Sequence, residues 1–173
     1  MALELNGTTG VSLVQDGVVT AADLASGAIT SAALPAGSVL QVVQGTYSTT
    51  VTSTSTSPVD TGLSASITPS SASNKILVMV SHPNSDKRSG DAFINMSLFR
   101  DASSIYAPSP QFFFTGSSVT HSAGISFSYL DSPSTTSSVT YKTKFFNGNG
   151  STGQVSMQWN NNPSTIILME IAG

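Results

Sequence analysis

Hydrophobic and polar residues follow two different patterns along this chain, and the pattern changes at the Pro-Ala-Gly sequence of residues 35–37. Before that point a short unit repeats at an offset of ten residues, as GVVTAADL in residues 17–24 and GAITSAAL in residues 27–34. After it, apolar residues alternate with polar ones, which is the period of a β-strand. Pro and Gly interrupt regular structure, so we predict a boundary between a segment of residues 1–36 and a domain of residues 37–173.

The alternating part of the chain predicts about ten short strands, joined by turns rich in Pro, Asn, Asp, Gly and Ser. One of these predicted turns is residues 83–90. Regularly spaced short strands are typical of an antiparallel β-sandwich or jelly roll, so we predict an all-β fold for the domain. The predicted strands are residues 38–47, 51–55, 63–68, 74–81, 92–100, 104–106, 119–129, 138–146, 153–159 and 165–171.

Alternation also indicates which strand residues face the core. Neighbouring residues of a strand point to opposite faces, so large side chains two residues apart lie on the same face. Two of the predicted strands show this pattern clearly. The predicted core positions on them are Ile125, Phe127, Tyr129, Val139, Tyr141 and Phe145.

The repeat of residues 17–34 places four apolar side chains along one side of a thin segment. Such a segment is too small to bury its own apolar face, so it is stable only against copies of itself or against a partner. We interpret it as the shaft or docking segment of an oligomer; the alternative is a disordered tail of Ala, Ser, Thr and Gly. The predicted shaft contacts are Val19, Leu24, Ile29 and Leu34.

Charge is scarce in this sequence: 9% of the residues are charged, the net charge is −3, and Ser and Thr make up 52 of the 173 residues. The six Lys and Arg residues are scattered, so we expect no nucleic-acid binding. The chain contains no Cys, which excludes disulfide bonds, thiolate metal sites and cysteine nucleophiles. Its longest apolar runs, of about six residues, are too short to cross a membrane, and we expect neither a signal peptide nor membrane insertion.

Motifs that carry catalysis or metal binding are missing from the sequence. His82 and His121 are the only histidines, and neither stands at a spacing typical of a catalytic triad or an imidazole metal site. We place His82 at the surface, at the end of a strand. The two glutamates, Glu4 and Glu170, lie at opposite ends of the chain, which disfavours a carboxylate pair for cleaving polysaccharides. We therefore predict a protein that is not an enzyme and holds no metal and no cofactor.

One stretch, residues 82–91, holds four of the fifteen charged residues and is predicted to form a loop between two strands. A solvated turn is one interpretation of this loop. The other is a receptor-binding loop, because recognition residues often lie on loops at one end of a sandwich. The candidate residues are Asp86, Lys87, Arg88 and Asp91.

Two groups of aromatic residues are candidates for intermolecular contacts. The consecutive Phe112, Phe113 and Phe114 cannot all face one sheet interior, because strand side chains alternate between faces. At least one must meet another surface, either within the chain or on a neighbouring subunit, and we predict a candidate subunit interface here. Tyr106 and Trp159 adjoin polar turn residues and are candidates for stacking on sugar rings.

The opening of the chain, MALELNGTTGVSLVQDGVVTAADLASGAITSAALPAGSVLQVVQ, resembles the attachment and shaft region of bacteriophage tail fibres and related fibre proteins. The later stretches SPVDTGLSASITPSSASNKILVMVS and NPSTIILMEIAG resemble the heads of such fibres. This resemblance implies a non-enzymatic virion protein assembled as a parallel homotrimer, with the repeats wound into a shaft and the C-terminal domain forming a knob. Heads of this family often resemble the trimeric jelly rolls of tumour-necrosis-factor-like proteins.

The residue pattern and the resemblance together predict a short trimeric tail fibre that docks on other virion proteins through its N-terminal segment. Its knob is expected to adsorb to a glycan or an outer-membrane component of the host surface. One alternative is a capsid decoration or head-fibre protein. The other is a cellular carbohydrate-binding module that uses Tyr106 and Trp159, although this alternative gives the repeat of residues 17–34 no role.

Overall fold

The computed structural model describes residues 34–88, 91–108, 111–115, 119–150 and 153–173. The contacts of the chain divide it into two units between Pro35 and Ala36, and every strand given below belongs to the second unit. Three of the predicted shaft contacts, Val19, Leu24 and Ile29, lie outside the described residues and stay predictions. The fourth, Leu34, is described, and its side chain is exposed.

The described residues form ten strands and one short 3-10 turn, which confirms the predicted all-β fold. Each predicted strand has a counterpart, with ends that differ by a few residues; β3 and β4 extend furthest beyond their predicted bounds. The strands are β1 (Val39–Tyr47), β2 (Val51–Ser53), β3 (Val59–Ile67), β4 (Lys75–Arg88), β5 (Ile94–Arg100), β6 (Ser103–Tyr106), β7 (His121–Asp131), β8 (Val139–Asn147), β9 (Gln154–Met157) and β10 (Ser164–Ile171), and the turn is Trp159–Asn161.

These strands form two antiparallel sheets. The order in the first sheet is β1-β10-β4-β9-β2, and β7 pairs with the other edge of β4. Residues 86 and 87 of β4 pair with both β7 and β9, so β9 and β10 follow one another along the same edge of β4. The order in the second sheet is β3-β8-β5-β6. Buried residues of both sheets share two clusters, which gives a sandwich-like arrangement.

The core between the sheets is built from alternate residues of each strand. In β3, for example, Leu63, Ala65 and Ile67 are buried while the residues between them are exposed. Four of the six predicted core positions are buried, and the other two, Phe127 and Tyr129, are partly buried against the same clusters. Burying one large aliphatic or aromatic side chain stabilises the fold by about 1.5–3 kcal/mol, so this alternation specifies the strand register.

The predicted loop of residues 82–91 is wrong, because β4 continues through it to Arg88. Pro83 and Asn84 lie at a β-bulge between His82 and Ser85, and a bulge tolerates a proline that has no N–H to donate. After the bulge the strand resumes its pairing with β7. The candidate receptor residues are therefore not on one loop: Asp86 and Lys87 are buried in β4, Arg88 ends the strand, and Asp91 is exposed beyond it.

The run of three phenylalanines is divided between interior and surface. The backbone of Phe112 exchanges two hydrogen bonds of 2.9 Å with Ile94, and Phe112 and Phe113 pack against the second core cluster. Phe113 has a φ of 66°, which turns the chain so that the next side chain points outward. Phe114 is 52% exposed and meets Phe93 edge-on. A role of this run in a subunit interface stays a prediction.

Tyr106, a candidate for sugar stacking, has one face of its ring covered within the protein, and the stacking role itself stays a prediction. Its ring is stacked on that of Tyr129, with centroids 4.8 Å apart, and lies 5.8 Å from the ring of Phe127. Tyr106 belongs to the edge strand of the second sheet, whereas the other two residues belong to β7 at the edge of the first. The three rings therefore join the two sheets along this side of the sandwich.

Candidate functional site

The outer face of the first sheet, which points away from the core, is apolar across four strands. Val42 of β1 lies opposite Met169 of β10, which lies opposite Leu77 of β4, and Leu77 lies opposite Leu130 of β7. Paired residues share a face of a sheet, so these side chains form one row. The two at its ends are half exposed, at 57% for Val42 and 49% for Leu130.

Neighbouring pairs extend this apolar row on both sides. Val39 lies opposite Ile171 on one side, and Ile167 lies opposite Met79 on the other. Val39 and Met79 are among the exposed large apolar residues. An apolar surface of this kind on the outside of a sheet is a candidate interaction site. We call it the apolar face, and its members are Val39, Val42, Leu77, Met79, Leu130, Ile167, Met169 and Ile171.

A row of hydroxyl side chains borders the apolar face. It consists of Thr46, Thr165, Ser81 and Ser126, paired across the sheet in that order. Three members of this row, Thr165, Ser81 and Ser126, line a shallow depression of about 380 Å³ together with Met79 and Ile167 of the apolar face. An apolar centre with a polar rim is the usual composition of a protein–protein interface.

At the far end of β4, two residues of the predicted receptor-binding loop, Asp86 and Arg88, meet Trp159, a predicted sugar-stacking residue. Arg88 Nε donates a hydrogen bond of 2.7 Å to Asp86 Oδ2, and the guanidinium carbon lies 3.3 Å from the centroid of the Trp159 ring. Asp86 is fully buried, whereas the Arg88 side chain is 35% exposed. We call these three residues the Arg88 cluster.

An unusual turn between β9 and β10 positions Trp159. Gln158, Asn160 and Asn161 have φ values of 52°, 59° and 57°, a conformation that non-glycine residues adopt rarely. Asn84 Nδ2, from the bulge of β4, donates a hydrogen bond of 2.9 Å to the carbonyl oxygen of Trp159. Strained backbone persists only where the surroundings hold it, and it is concentrated at functional sites.

His82 adjoins this turn and is fully buried, so its predicted place at the surface is wrong. Its Nδ1 lies 2.8 Å from Ser164 Oγ and its Nε2 lies 3.2 Å from Thr143 Oγ1. The Gln158 amide oxygen faces Nδ1 at 3.2 Å, which leaves the amide nitrogen to donate to two backbone carbonyl oxygens. Burial among these neutral partners lowers the pKa of His82 to about 3. His82 therefore ties Gln158, and with it the Trp159 turn, to the interior.

Polar atoms beside the Arg88 cluster are not all satisfied. Asp86 Oδ1 and Ser85 Oγ are buried without a hydrogen-bond partner among the described residues. Native proteins contain few such atoms, because each costs about 1–3 kcal/mol. These two atoms make this end of β4 a candidate site.

Glu170 organises the opposite end of the first sheet. Its carboxylate accepts hydrogen bonds from Asn74 Nδ2 at 2.6 Å, from Gln41 Nε2 at 2.6 Å and from the backbone N–H of Ser70 at 2.7 Å. Burial by itself raises the pKa of this carboxyl, but the donors outweigh burial and hold the pKa below its usual value. Glu170 thus acts as a structural clamp between β10, β1 and the turn before β4.

Among the residues that the structure describes, no three His, Asp or Glu side chains are placed to hold a metal ion. No helix among these residues is long and apolar enough to cross a membrane. No family model matches the chain, and no curated protein matches it significantly. Function is therefore inferred from the apolar face and the Arg88 cluster.

Proposed function

We propose that this chain is a structural virion fibre protein, in which residues 37–173 form the knob of a homotrimer and adsorb to the host surface. The apolar face is the observation that carries the proposal, since eight apolar side chains lie in register on the outside of a sheet. Soluble monomers rarely leave such a surface in water. Further copies of the chain are the partners that the N-terminal repeat also requires.

The pairing of the strands supports a jelly-roll knob. Without the short β2 and β9, eight strands remain, and they pair first with last, second with seventh, third with sixth and fourth with fifth. A long hairpin rolled into two four-stranded sheets has this pairing, and it defines the jelly roll. The jelly-roll pairing is the one expected if the knob resembles the tumour-necrosis-factor-like trimers, as the heads of such fibres often do.

A three-fold axis beside the apolar face gives both parts of the chain a role. β1 begins at Val39, a member of the apolar face, and the repeat segment directly precedes it in the chain. An axis next to Val39 suits the predicted shaft, whose contacts Val19, Leu24, Ile29 and Leu34 require copies of themselves as partners. Cyclic symmetry closes such an assembly, so that each apolar face is covered.

Trimerisation also suits adsorption to a host cell. Three identical sites on one rigid knob reach an avidity about 100-fold or more above that of a single site, when the target spacing permits. Each contact can then be weak. Adhesion of this kind needs no catalytic group, in keeping with the absence of catalytic motifs in the sequence.

The virion assignment is tested by immunogold labelling of purified particles with antibodies raised against residues 37–173. We expect gold over the tail, at the ends of short fibres. Gold over the capsid instead would overturn the tail-fibre proposal in favour of a capsid decoration protein. Virions without any label would contradict both assignments, and an unrelated antibody provides the background count.

A further inference from the structure

Arg88 is held on two sides while the end of its side chain stays open. Its Nε is bound to the buried Asp86, and its guanidinium plane is covered by the Trp159 ring at 3.3 Å. Neither of its two terminal amino groups donates to a described residue. The side chain is 35% exposed, so these groups are accessible to solvent.

The other arginine of the chain provides a contrast. Arg100 Nη1 donates to Asp131 Oδ2 at 2.7 Å, and Tyr141 donates to the same carboxylate oxygen at 2.7 Å. Arg100 Nη1 is therefore hydrogen-bonded within the protein, in a network that joins β5, β7 and β8. Only at Arg88 is the interior partner bound through Nε, which leaves both terminal nitrogens as an open fork.

An open guanidinium fork with a fixed plane is suited to an anion. Two parallel N–H donors match the spacing of two oxygens on a carboxylate, sulfate or phosphate. Because Asp86 and Trp159 already fix the side chain, little conformational entropy is lost when an anion binds. The buried Asp86 acts here as a positioning residue.

Uncharged polar side chains surround Arg88 on the same face of the sheet. Gln154 of β9 lies directly opposite Arg88, and Ser122 of β7 lies opposite Asp86. Thr52 lies on β2, which is the next strand of the sheet beyond β9. Amide and hydroxyl groups of this kind hydrogen-bond to sugar hydroxyls. This side of the sheet therefore offers one anion-binding group among groups that complement a saccharide.

The Arg88 cluster is also well separated from the apolar face. Arg88 is nine residues along β4 from Met79, the nearest member of the apolar face on that strand, and a strand rises about 3.3 Å per residue. Arg88 therefore lies roughly 25 Å from the apolar face along the sheet, even with the intervening bulge. Subunits that cover the apolar face leave this end of β4 free to meet a target.

We infer that the Arg88 cluster binds the acidic groups of a host-surface polysaccharide, with the Arg88 fork on a carboxylate or sulfate and the neighbouring amide and hydroxyls on the sugar. This inference rests on the proposed adsorption function and names its ligand class. The net charge of −3 opposes general attraction to a polyanion. Binding to an acidic polysaccharide therefore requires a local site such as this one.

Biolayer interferometry on the full chain tests this inference, with immobilised alginate as the carboxylate probe, dextran sulfate as the sulfate probe and neutral dextran as the reference. We expect binding to at least one acidic probe and none to dextran. Arg88→Gln should weaken that binding at least tenfold. Arg88→Lys keeps the charge but loses the planar fork, so it should also weaken binding.

Lys142→Gln is the matched control, because it removes one positive charge from the second sheet, away from the cluster. It should change the affinity less than twofold, and circular dichroism should show all three variants folded. Equal losses in Lys142→Gln and Arg88→Gln would overturn the inference in favour of general charge attraction. Unchanged binding by Arg88→Gln, or no binding to either acidic probe, would also overturn it. Native mass and virion labelling test the proposed function separately, since neither depends on Arg88.

Discussion

A chain that carries both Val42→Lys and Leu130→Lys is expected to be a monomer with its β-sandwich intact. These residues lie at the two ends of the apolar row and are the most exposed of its four members. Neither packs in the core clusters, so the substitutions leave the interior unchanged. In a trimer they place six unpaired ammonium groups at the contact, and each costs several kcal/mol to desolvate. Light scattering after size-exclusion chromatography should show the mass of one chain.

The matched control for this experiment is Ser64→Lys with Ser104→Lys. Both serines are exposed on strands of the second sheet, so the control adds the same charge away from the apolar face. It should keep the native mass of the wild-type chain, and both double variants should keep its circular dichroism spectrum. A Val42→Lys/Leu130→Lys chain with wild-type mass would show that the apolar face is not the subunit contact.

Lowering the pH should destabilise the fold at pH values well above those at which carboxylates titrate, because His82 is buried in its neutral form. Its pKa is 6.5 in the unfolded chain and about 3 in the folded one, so only the unfolded chain takes up this proton between those values. The stability present above pH 6.5 is therefore lost progressively as the pH falls. Between pH 7 and pH 5 the expected loss in the free energy of unfolding is about 2 kcal/mol. Urea unfolding at fixed protein concentration measures it.

Two variants distinguish the contribution of His82 to the pH dependence of stability from the contributions of the other titrating groups. His82→Gln should be less stable at pH 7, because buried hydrogen bonds are lost, but its stability should change little between pH 7 and pH 5. His121→Gln removes the exposed histidine and should keep the wild-type pH dependence. Glu170, whose pKa lies below its usual value, contributes only at lower pH. A wild-type pH dependence in His82→Gln would refute this explanation.

The alternating strands could be read from the sequence because each is half buried. In β8, for example, the large apolar residues Val139, Tyr141 and Phe145 are spaced by even numbers of positions. This spacing alone indicates that they share the face of the strand that points to the core. The long β4 could not be recognised in the same way. After the bulge at Pro83 its buried residues are polar, and Asp86 and Lys87 are typical of a solvated turn unless their neighbours are known.

The candidate sites were hidden because each is assembled from distant parts of the chain. Leu77 and Leu130 belong to one row only through the register of β4 and β7, which no local pattern specifies. His82 finds its neutral partners on β8 and β10 and in the turn after β9. The sequence did single out Arg88 and Trp159, but their contact across seventy residues appears only in the folded chain.

The central claim, that the apolar face joins three chains, is tested most directly by the native mass of the full-length protein. Light scattering on a size-exclusion column should give a mass near three times 17.8 kDa. That mass should stay constant when the protein is diluted to micromolar concentration. A mass of one chain at all concentrations would contradict the account, because the apolar face would then be open to solvent and the repeat segment would have no copies to pack against.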